Sequence, residues 1–126
     1  MTEFLELDDL LVIIDRAVGP DAQVRDAGLL ASTLARPRAT VFGDDAYPSL
    51  DEKVAALLIS LVANHALDDG NKRLGWVALR VFYRLNEHDL RAPHDDAFAL
   101  VMAVADGSVR DVADVAATLA RWVVGD

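Results

Sequence analysis

The sequence contains no cysteine. Disulfide bonds, thiolate zinc sites and cysteine nucleophiles are therefore excluded, and the absence of thiols is in keeping with a reducing compartment. Stability must come from an apolar core, and 53% of the 126 residues are hydrophobic. A chain of this size buries about two-thirds of its accessible surface on folding. We expect one domain over residues 1–126.

Long apolar runs are also absent. Charged residues interrupt every hydrophobic stretch well before the ~20 residues that a membrane-spanning helix needs. Residues 1–6 are acidic and lack the basic start and the long apolar centre of a secretory signal. We therefore expect a cytoplasmic protein without a membrane partner.

Cations are scarce in this chain. Lys and Arg number 12 against 21 Asp and Glu, which gives a formal net charge of −9. Nucleic-acid binding is driven mainly by Lys and Arg that neutralise phosphates, so DNA and RNA are discounted as partners. Against this acidic background, Lys72 and Arg73 form a small positive site, of a size that suits one nucleotide better than a duplex.

Most of the remaining pattern is helical. Apolar residues recur at helical spacing in six segments, which cover roughly residues 7–18, 26–36, 49–63, 71–85, 93–106 and 108–123. Ser49 with Glu52, and Ser108 with Asp111, have the spacing of N-terminal capping pairs. The third and fourth segments are apolar around most of their circumference, which indicates a central pair. The predicted fold is mainly α, a compact bundle of about six helices.

Residues 38–48 depart from the helical pattern. They alternate weakly between apolar and polar side chains and then turn at Gly43 and Asp44, which predicts a short β-hairpin, or flap. On such a hairpin, Thr40, Val41 and Phe42 could present a backbone edge to an extended peptide. An ordinary connecting loop is the alternative that the residues leave open.

The most informative segment is residues 65–73, which read His-Ala-Leu-Asp-Asp-Gly-Asn-Lys-Arg. A helix with a strong apolar face follows, so these polar residues lie at a helix N-terminus. Free backbone amides and the helix dipole already make that place positive, and each added cation costs roughly 0.3–1 kcal/mol there. Two cations at this end of a helix therefore indicate that an anion binds.

Each residue type in this segment suits a role at an anion site. His65 is the best candidate for a general base, although a histidine that only caps the third helix is the alternative. Asp69 can hold Mg²⁺ together with phosphates and water, or cap the following helix. Gly70 permits a tight turn close to a phosphate, and the next amides form an anion nest. Lys72 and Arg73 would neutralise phosphate oxygens, or else be solvated.

Other phosphate and metal motifs are missing from the chain. It has neither the Gly-x-x-x-x-Gly-Lys-Ser/Thr pattern nor a glycine-rich dinucleotide fingerprint. His88 and His94 have aspartate neighbours but no recognisable ligand spacing, and we expect them to be solvated in a loop. Arg80 and Arg84 either extend the positive face that begins at Arg73 or form the solvent side of the fourth helix.

Residues 65–73 resemble the signature of the Fic/Doc family, of which the form His-x-aromatic-x-Asp-Gly-Asn-Lys-Arg has lysine in place of a second glycine. Lys72 stands at that position, which is similar to the Doc (death-on-curing) branch. The resemblance extends to residues 25–30, 32–37 and 47–53 and to the spacing of the last two helices. It implies the helical Fic/Doc fold with a flap.

The resemblance implies a toxin that binds ATP with Mg²⁺ and passes a phosphoryl group to a protein hydroxyl. The family target is a threonine of translation elongation factor Tu, so translation would be arrested. His65 would take the hydroxyl proton, Asp69 would hold Mg²⁺, and the flap would hold the target peptide. The residues that would cradle the phosphates are Gly70, Asn71, Lys72 and Arg73.

Transfer of AMP to a protein hydroxyl is the alternative chemistry. Members of the Fic branch transfer AMP with similar residues, and their motif has a glycine at the position of Lys72 and an arginine at that of Trp76. This chain has neither, which favours phosphoryl transfer.

Leu67 stands where the family has an aromatic residue that anchors the loop. A smaller anchor leaves the loop looser, and an error of 1 Å in the position of His65 can cost about 10²-fold in rate. A degenerate, noncatalytic domain that binds an antitoxin is therefore a third interpretation.

The resemblance also implies a partner that controls the toxin. Self-inhibiting family members carry a Ser/Thr-x-x-x-Glu-Gly/Asn helix; here only Thr2 and Glu6 have that spacing, and Leu7 follows instead of Gly or Asn. We therefore expect an external inhibitor, a small Phd-like antitoxin whose disordered tail folds onto a groove of the bundle.

Overall fold

A computed structural model describes residues 1–125. Within them the α-helices are α1 Leu7–Ile13, α2 Ala27–Ala35, α3 Leu50–Asn64, α4 Asn71–Leu85, α5 His94–Ala105 and α6 Val112–Ala120. The strands are β1 Thr40–Val41, β2 Asp44–Asp45, β3 His88–Leu90 and β4 Val123–Gly125, and they form two antiparallel pairs, β1 with β2 and β3 with β4. The predicted helical fold with a short hairpin is confirmed.

Helix α3 lies at the centre of the bundle. All residues from 53 to 62 are buried, so this helix is surrounded on every side. It packs closely on α4 at Gly75, where an added Cβ would lie 2.7 Å from Val62 Cγ2 and 3.2 Å from Leu58 Cδ1. The glycine explains how closely the backbones of α3 and α4 approach. The prediction that these two helices pack together is confirmed, but the expectation that α4 is also surrounded is wrong, because α4 buries one face and exposes Lys72, Arg73 and Arg80 on the other.

The predicted ends of the first three helices are confirmed. Helix α1 continues as a π-helical turn to Val18 and stops at Gly19, whose φ is +136°. Helix α2 tightens into a 3₁₀ turn at Arg36–Arg38, which contains Pro37. At the start of α3, the Ser49 side chain accepts from Glu52 N at 3.1 Å, and Glu52 accepts from Ser49 N at 3.2 Å.

The predicted start of the last helix is wrong. Ser108 does not cap α6, because its hydroxyl and its N–H both donate to Asp106 in the turn that follows α5. Asp111 is the N-cap, and its side chain accepts from Ala113 N at 2.9 Å. Helix α6 therefore begins four residues beyond Ser108, at Val112.

The predicted end of that helix, and the predicted loop around His88 and His94, are also wrong. Helix α6 stops at Ala120, and Val123 lies in β4, which pairs with β3. His88 is part of β3, and His94 begins α5. Local periodicity cannot reveal this strand pair, because its two strands are more than thirty residues apart in the sequence. None of the helices within residues 1–125 is both long and apolar enough to cross a membrane.

Candidate functional site

The loop that carries His65 begins where α3 ends. His65 is the C-terminal cap of that helix and has left-handed backbone angles, φ +53° and ψ +49°. Such angles are uncommon for a residue other than glycine and store on the order of 1–3 kcal/mol. Surrounding contacts must offset this strain. The exposed side chain of His65 borders a cavity.

A segment just before α2 holds the outer side of this loop. Arg25 Nη2 donates to the carbonyl oxygen of His65 at 2.5 Å, and Arg25 N donates to Ala66 O at 2.7 Å. Farther along, Asp68 N donates to Gln23 O at 3.1 Å. Arg25 thus fixes the strained peptide unit of His65. The role of Arg25 is not visible in the sequence, because its contacts lie 40 residues away.

The inner side of the loop is anchored in the core. Leu67 is only 1% exposed. The side-chain amide of Asn71 bonds both backbone groups of Leu67. Leu67 N donates to Asn71 Oδ1, and Asn71 Nδ2 donates to Leu67 O, each at 3.0 Å. The amide side chain of Asn71 is committed to the loop, so its predicted contact with a phosphate can involve only its backbone N–H.

Gly70 connects the loop to α4. It is the N-cap residue with φ +90°, and an added Cβ would lie 2.5 Å from Val18 Cγ1. The first intrahelical bond runs from Leu74 N to Gly70 O at 2.9 Å. The amides of Asn71, Lys72 and Arg73 therefore lack partners within the helix and point out of its N-terminus. These N–H groups have the arrangement of the anion nest that the sequence predicts, and we call this N-terminus the nest; that it binds an anion stays a prediction.

A cavity of about 400 Å³ lies in front of this nest. The structure brings the predicted site residues to its wall: His65, Asp69, Gly70, Asn71, Lys72 and Arg73. Asp68 adds a second carboxylate, and Val18 contributes an apolar part of the wall. An imidazole, two carboxylates and two cations thus border one space of the size that ligand sites occupy.

The oxygen atoms at this cavity fit Mg²⁺ that arrives with phosphates. Asp69 Oδ1 accepts from Gly70 N at 2.8 Å, which leaves Oδ2 available to a metal ion. Within residues 1–125 there is no group of three or more His, Asp or Glu side chains able to form a metal cage. Because Mg²⁺ usually takes one or two carboxylates and completes its shell with substrate phosphates and water, Asp69 is a suitable ligand.

The predicted hairpin over residues 38–48 is confirmed, and the loop alternative is not. Thr40 pairs with Asp45 and Val41 with Asp44. Phe42 at the tip is fully exposed, and it forms the turn together with Gly43, both at positive φ. These strands are short and their side chains face solvent.

A buried lysine fixes the flap to the bundle. Lys53 is 3% exposed, and its Nζ donates to Asp45 Oδ2 at 3.0 Å, to Pro48 O at 3.3 Å and to Tyr47 O. Arg36 donates to the Tyr47 hydroxyl at 3.1 Å and lies over its ring. Sequence reasoning missed Lys53, although a charge at the start of the apolar run of α3 was a usable signal.

Several charged residues considered from the sequence lie outside this cavity. Arg80 and Arg84 border a different groove together with Asp89, so they do not extend the nest. His88 has a buried Nδ1 without a hydrogen-bond partner among residues 1–125. His94 borders an apolar groove between α4 and α5 that adjoins the nest.

A helical bundle with a hairpin flap, and with a histidine and an anion nest on one cavity, defines the structural class of this protein. The chain belongs to the Fic/DOC family, whose model matches residues 4–83. It is 52% identical over 95 residues to a protein called Toxin Doc from Mycolicibacterium smegmatis (strain ATCC 700084 / mc(2)155). The aligned residues cover 75% of this chain and 73% of that relative. The resemblance seen in residues 65–73 is confirmed.

Proposed function

We propose that this chain is the toxin of a toxin–antitoxin pair and that it is a kinase dependent on ATP and Mg²⁺. Its substrate would be a protein hydroxyl, a threonine of translation elongation factor Tu in the cytoplasm, and the modification would arrest translation. One observation carries the proposal: His65, Asp69 and the cationic N-terminus of α4 border a single cavity. The name of the relative, Toxin Doc, supports the biological role.

The mechanism follows from the groups at this cavity. Phosphate oxygens accept from the free N–H groups of residues 71–73 and from the side chains of Lys72 and Arg73. Asp69 would hold Mg²⁺, and the ion would supply neutralisation of the charge on the phosphates. The oxygen of the target hydroxyl bonds to the γ-phosphorus, and the bond from the γ-phosphorus to ADP breaks, so that ADP leaves. His65 takes the proton that the hydroxyl loses. Positioning and charge neutralisation of this kind account for most of the catalysis of phosphoryl transfer.

The flap would present the target. The hairpin has only two strands, so both edges carry unpaired backbone groups, and an extended peptide could add as a further strand beside Thr40, Val41 and Phe42. Lys53 supports this role, because it fixes the flap from below while the side chains of Val41 and Phe42 remain exposed.

Two positions favour phosphoryl transfer over AMP transfer. Lys72 places a bulky cation at the cavity, and Trp76 replaces an arginine that would contact phosphates. Trp76 lines an apolar groove, a poor place for a phosphate.

ATP labelled at the α- or the γ-phosphate distinguishes phosphoryl transfer from AMP transfer, whatever the target protein is. A bacterial extract is incubated with the protein and with ATP labelled at either the α- or the γ-phosphate, beside an identical series with His65→Ala. We expect one protein to acquire label from the γ-phosphate only, and no labelling with the variant. Labelling from the α-phosphate would instead establish an AMP-transferase. No labelling from either position, with antitoxin binding retained, would indicate the noncatalytic domain.

We also propose a Phd-like antitoxin as the partner. Helix α1 exposes Leu7, Leu11 and Val12. Val12 borders a groove of about 350 Å³, which Val77 and Val81 of α4 complete. An exposed apolar helix face beside a groove suits a disordered tail that folds into a helix on binding.

A further inference from the structure

The segment that precedes α1 is fixed to the end of α4. Asn86, the C-cap of α4, bonds both backbone groups of Glu3. Glu3 N donates to Asn86 Oδ1, and Asn86 Nδ2 donates to Glu3 O, each at 2.8 Å. The ring centre of Phe4 lies 6.0 Å from that of Phe82. Residues 3–6 are therefore an ordered segment, which we call the strap, and the mechanism above does not use it.

The strap contacts the base of the flap through Arg38. Arg38 Nη2 donates to Glu6 Oε1 at 2.5 Å, and the guanidinium carbon of Arg38 lies 4.6 Å from the centre of the Phe4 ring. One residue farther along the chain, Ala39 O accepts from Ala46 N at 2.8 Å, which closes the base of the hairpin. A carboxylate and an aromatic face thus hold the arginine where the flap begins.

The ion pair also assigns a place to Glu6. Glu6 follows Thr2 at the spacing of the self-inhibitory motif, but its backbone angles are extended, φ −107° and ψ 170°, and α1 begins only after it. Its carboxylate bonds Arg38 at the flap, and Glu6 is not among the described residues that border the nest cavity. The strap is therefore available for a role other than self-inhibition.

We propose that the strap positions the flap for the protein target, with Arg38 as the positioning residue. This inference rests on the proposed function, because it assumes that a target peptide adds to the flap. A two-stranded hairpin is at best marginally stable by itself, so its order depends on what holds its two ends. Lys53 holds the returning end, at Tyr47 and Pro48. Arg38 holds the outgoing end, and its loss lowers the fraction of chains whose flap can receive the peptide.

Hydrogen-exchange mass spectrometry of the full chain tests whether Arg38 holds the flap. Arg38→Ala removes both contacts of the guanidinium, so amides of residues 40–47 should exchange about 3- to 10-fold faster. The change is modest because the side chains of Arg38 and Glu6 are 44% and 70% exposed. Arg121→Ala, an exposed arginine at the end of α6, is the matched control and should leave exchange in the flap unchanged.

Substitutions in the strap separate the two contacts. Glu6→Gln removes the ion pair, and Phe4→Leu removes the aromatic face but keeps an apolar side chain, so each should give part of the effect of Arg38→Ala. Glu6→Gln combined with Arg38→Ala should add nothing to Arg38→Ala, because the ion pair is already absent. Glu3→Gln is the control within the strap, since Glu3 bonds to Asn86 through its backbone.

Steady-state kinetics distinguishes positioning from a general loss of stability. Arg38→Ala should raise the KM for the protein target at least about two-fold. It should leave kcat and the KM for ATP unchanged, because Arg38 is not among the described residues that border the nest cavity. Arg38→Lys keeps a cation beside Glu6 and should restore part of the KM. A variant that is only less stable would instead lower kcat through loss of active protein.

Several outcomes would overturn the proposal. Exchange in the flap that is as slow in Arg38→Ala as in Arg121→Ala would show that the strap does not hold the flap. Faster exchange with an unchanged KM for the target would show that the strap orders the flap without positioning the target. An unaltered chain that modifies no protein would remove the proposed function and the role of the target. The exchange rates would then decide by themselves whether Arg38 fixes the flap.

Discussion

Single residues determine the shape of the loop between α3 and α4. His65 and Gly70 both have positive φ, and they stand at the two ends of the loop. A glycine adopts such angles readily, whereas a histidine does so at a cost. Arg25 on the outside, and Leu67 with Asn71 on the inside, supply the contacts that offset this cost. These positions should therefore control the rate through the placement of His65.

Arg25→Ala should lower kcat by up to about 10²-fold, because a shift of about 1 Å at a catalytic group has an effect of that order. The KM for ATP should change little, since Arg25 does not border the cavity. Arg25→Lys should restore part of kcat, because a lysine can still donate to His65 O. Steady-state kinetics on purified variants checks this, with Arg121→Ala, an exposed arginine at the end of α6, as the control. Equal kcat in Arg25→Ala and Arg121→Ala would contradict a positioning role.

Gly70→Ala should be more destabilising than Gly43→Ala. Both glycines have φ near +90°, so each substitution should lower the free energy of unfolding by roughly 1–2 kcal/mol. A Cβ at position 43 would meet open space, whereas a Cβ at position 70 would overlap Val18. Overlap of this kind costs roughly a further 1–3 kcal/mol.

Urea unfolding of the two variants measures this difference. Val18→Ala is combined with Gly70→Ala in a double-mutant cycle. In the double variant, Val18→Ala should restore the part of the free energy of unfolding that Gly70→Ala loses through overlap with Val18. No recovery would show that backbone strain alone accounts for the requirement for glycine at position 70.

At the scale of elements, the flap depends on one buried charge. Lys53→Met keeps the length of the side chain and removes three donors to the flap segment. Hydrogen bonds to charged groups contribute about 1.5–3 kcal/mol, so amides of residues 40–47 should exchange hydrogen about 10- to 150-fold faster. The KM for the protein target should rise, while ATP binding should not change.

Asp45→Asn provides the graded comparison. It removes the ion pair and leaves the bonds from Lys53 to the Tyr47 and Pro48 carbonyls, so its effect should be smaller. Hydrogen-exchange mass spectrometry and kinetics with varied target concentration measure both variants. An unchanged flap in Lys53→Met would contradict the anchoring role of this lysine.

Elements with a local cause could be predicted from the sequence. The Ser49–Glu52 capping pair placed the start of α3, and Pro37 placed the end of α2, because in each case the determining atoms lie within a few residues. The strand pair β3–β4 and the true cap of α6 could not be predicted in this way. From the sequence, Ser108 could interact either with Asp111, as a helix cap, or with Asp106. The structure shows that its hydroxyl donates to Asp106.

In the candidate site too, features with a local cause could be predicted and features that depend on distant contacts could not. Residues 65–73 could be identified because they are contiguous and their types are unusual together at a helix N-terminus. The position of Lys53 in an apolar run could have marked it, but the partners of Arg25 and Lys53 could not be predicted. The contacts of Arg25 are distant in sequence, and those of Lys53 require the flap to fold back onto α3. The commitment of the Asn71 side chain to Leu67 likewise became visible only in three dimensions.

At the scale of the whole molecule, the acidic chain carries two different surfaces. The anion nest is a small cationic area on a chain of net charge −9, and the exposed apolar face of α1 lies beside another groove. These surfaces should be separable. Val12→Asp should weaken binding of the antitoxin encoded by the neighbouring open reading frame, because it places a charge in an apolar interface. The rate of phosphoryl transfer without antitoxin should stay the same.

Co-purification and growth measurements with co-expressed antitoxin test this separation. Leu85→Ala, which does not border the α1 groove, serves as the control. We expect Val12→Asp to arrest growth even when antitoxin is present. Neutralisation of Val12→Asp as complete as that of the unaltered chain would place the antitoxin elsewhere on the bundle.

The most direct test of the proposed reaction is the intact mass of purified elongation factor Tu after incubation with this protein, ATP and Mg²⁺. His65→Ala is run in parallel. We predict a gain of one phosphate with the unaltered chain and no gain with the variant. A gain of AMP, or an unchanged mass with both proteins, would contradict the assignment of this chain as a kinase of elongation factor Tu.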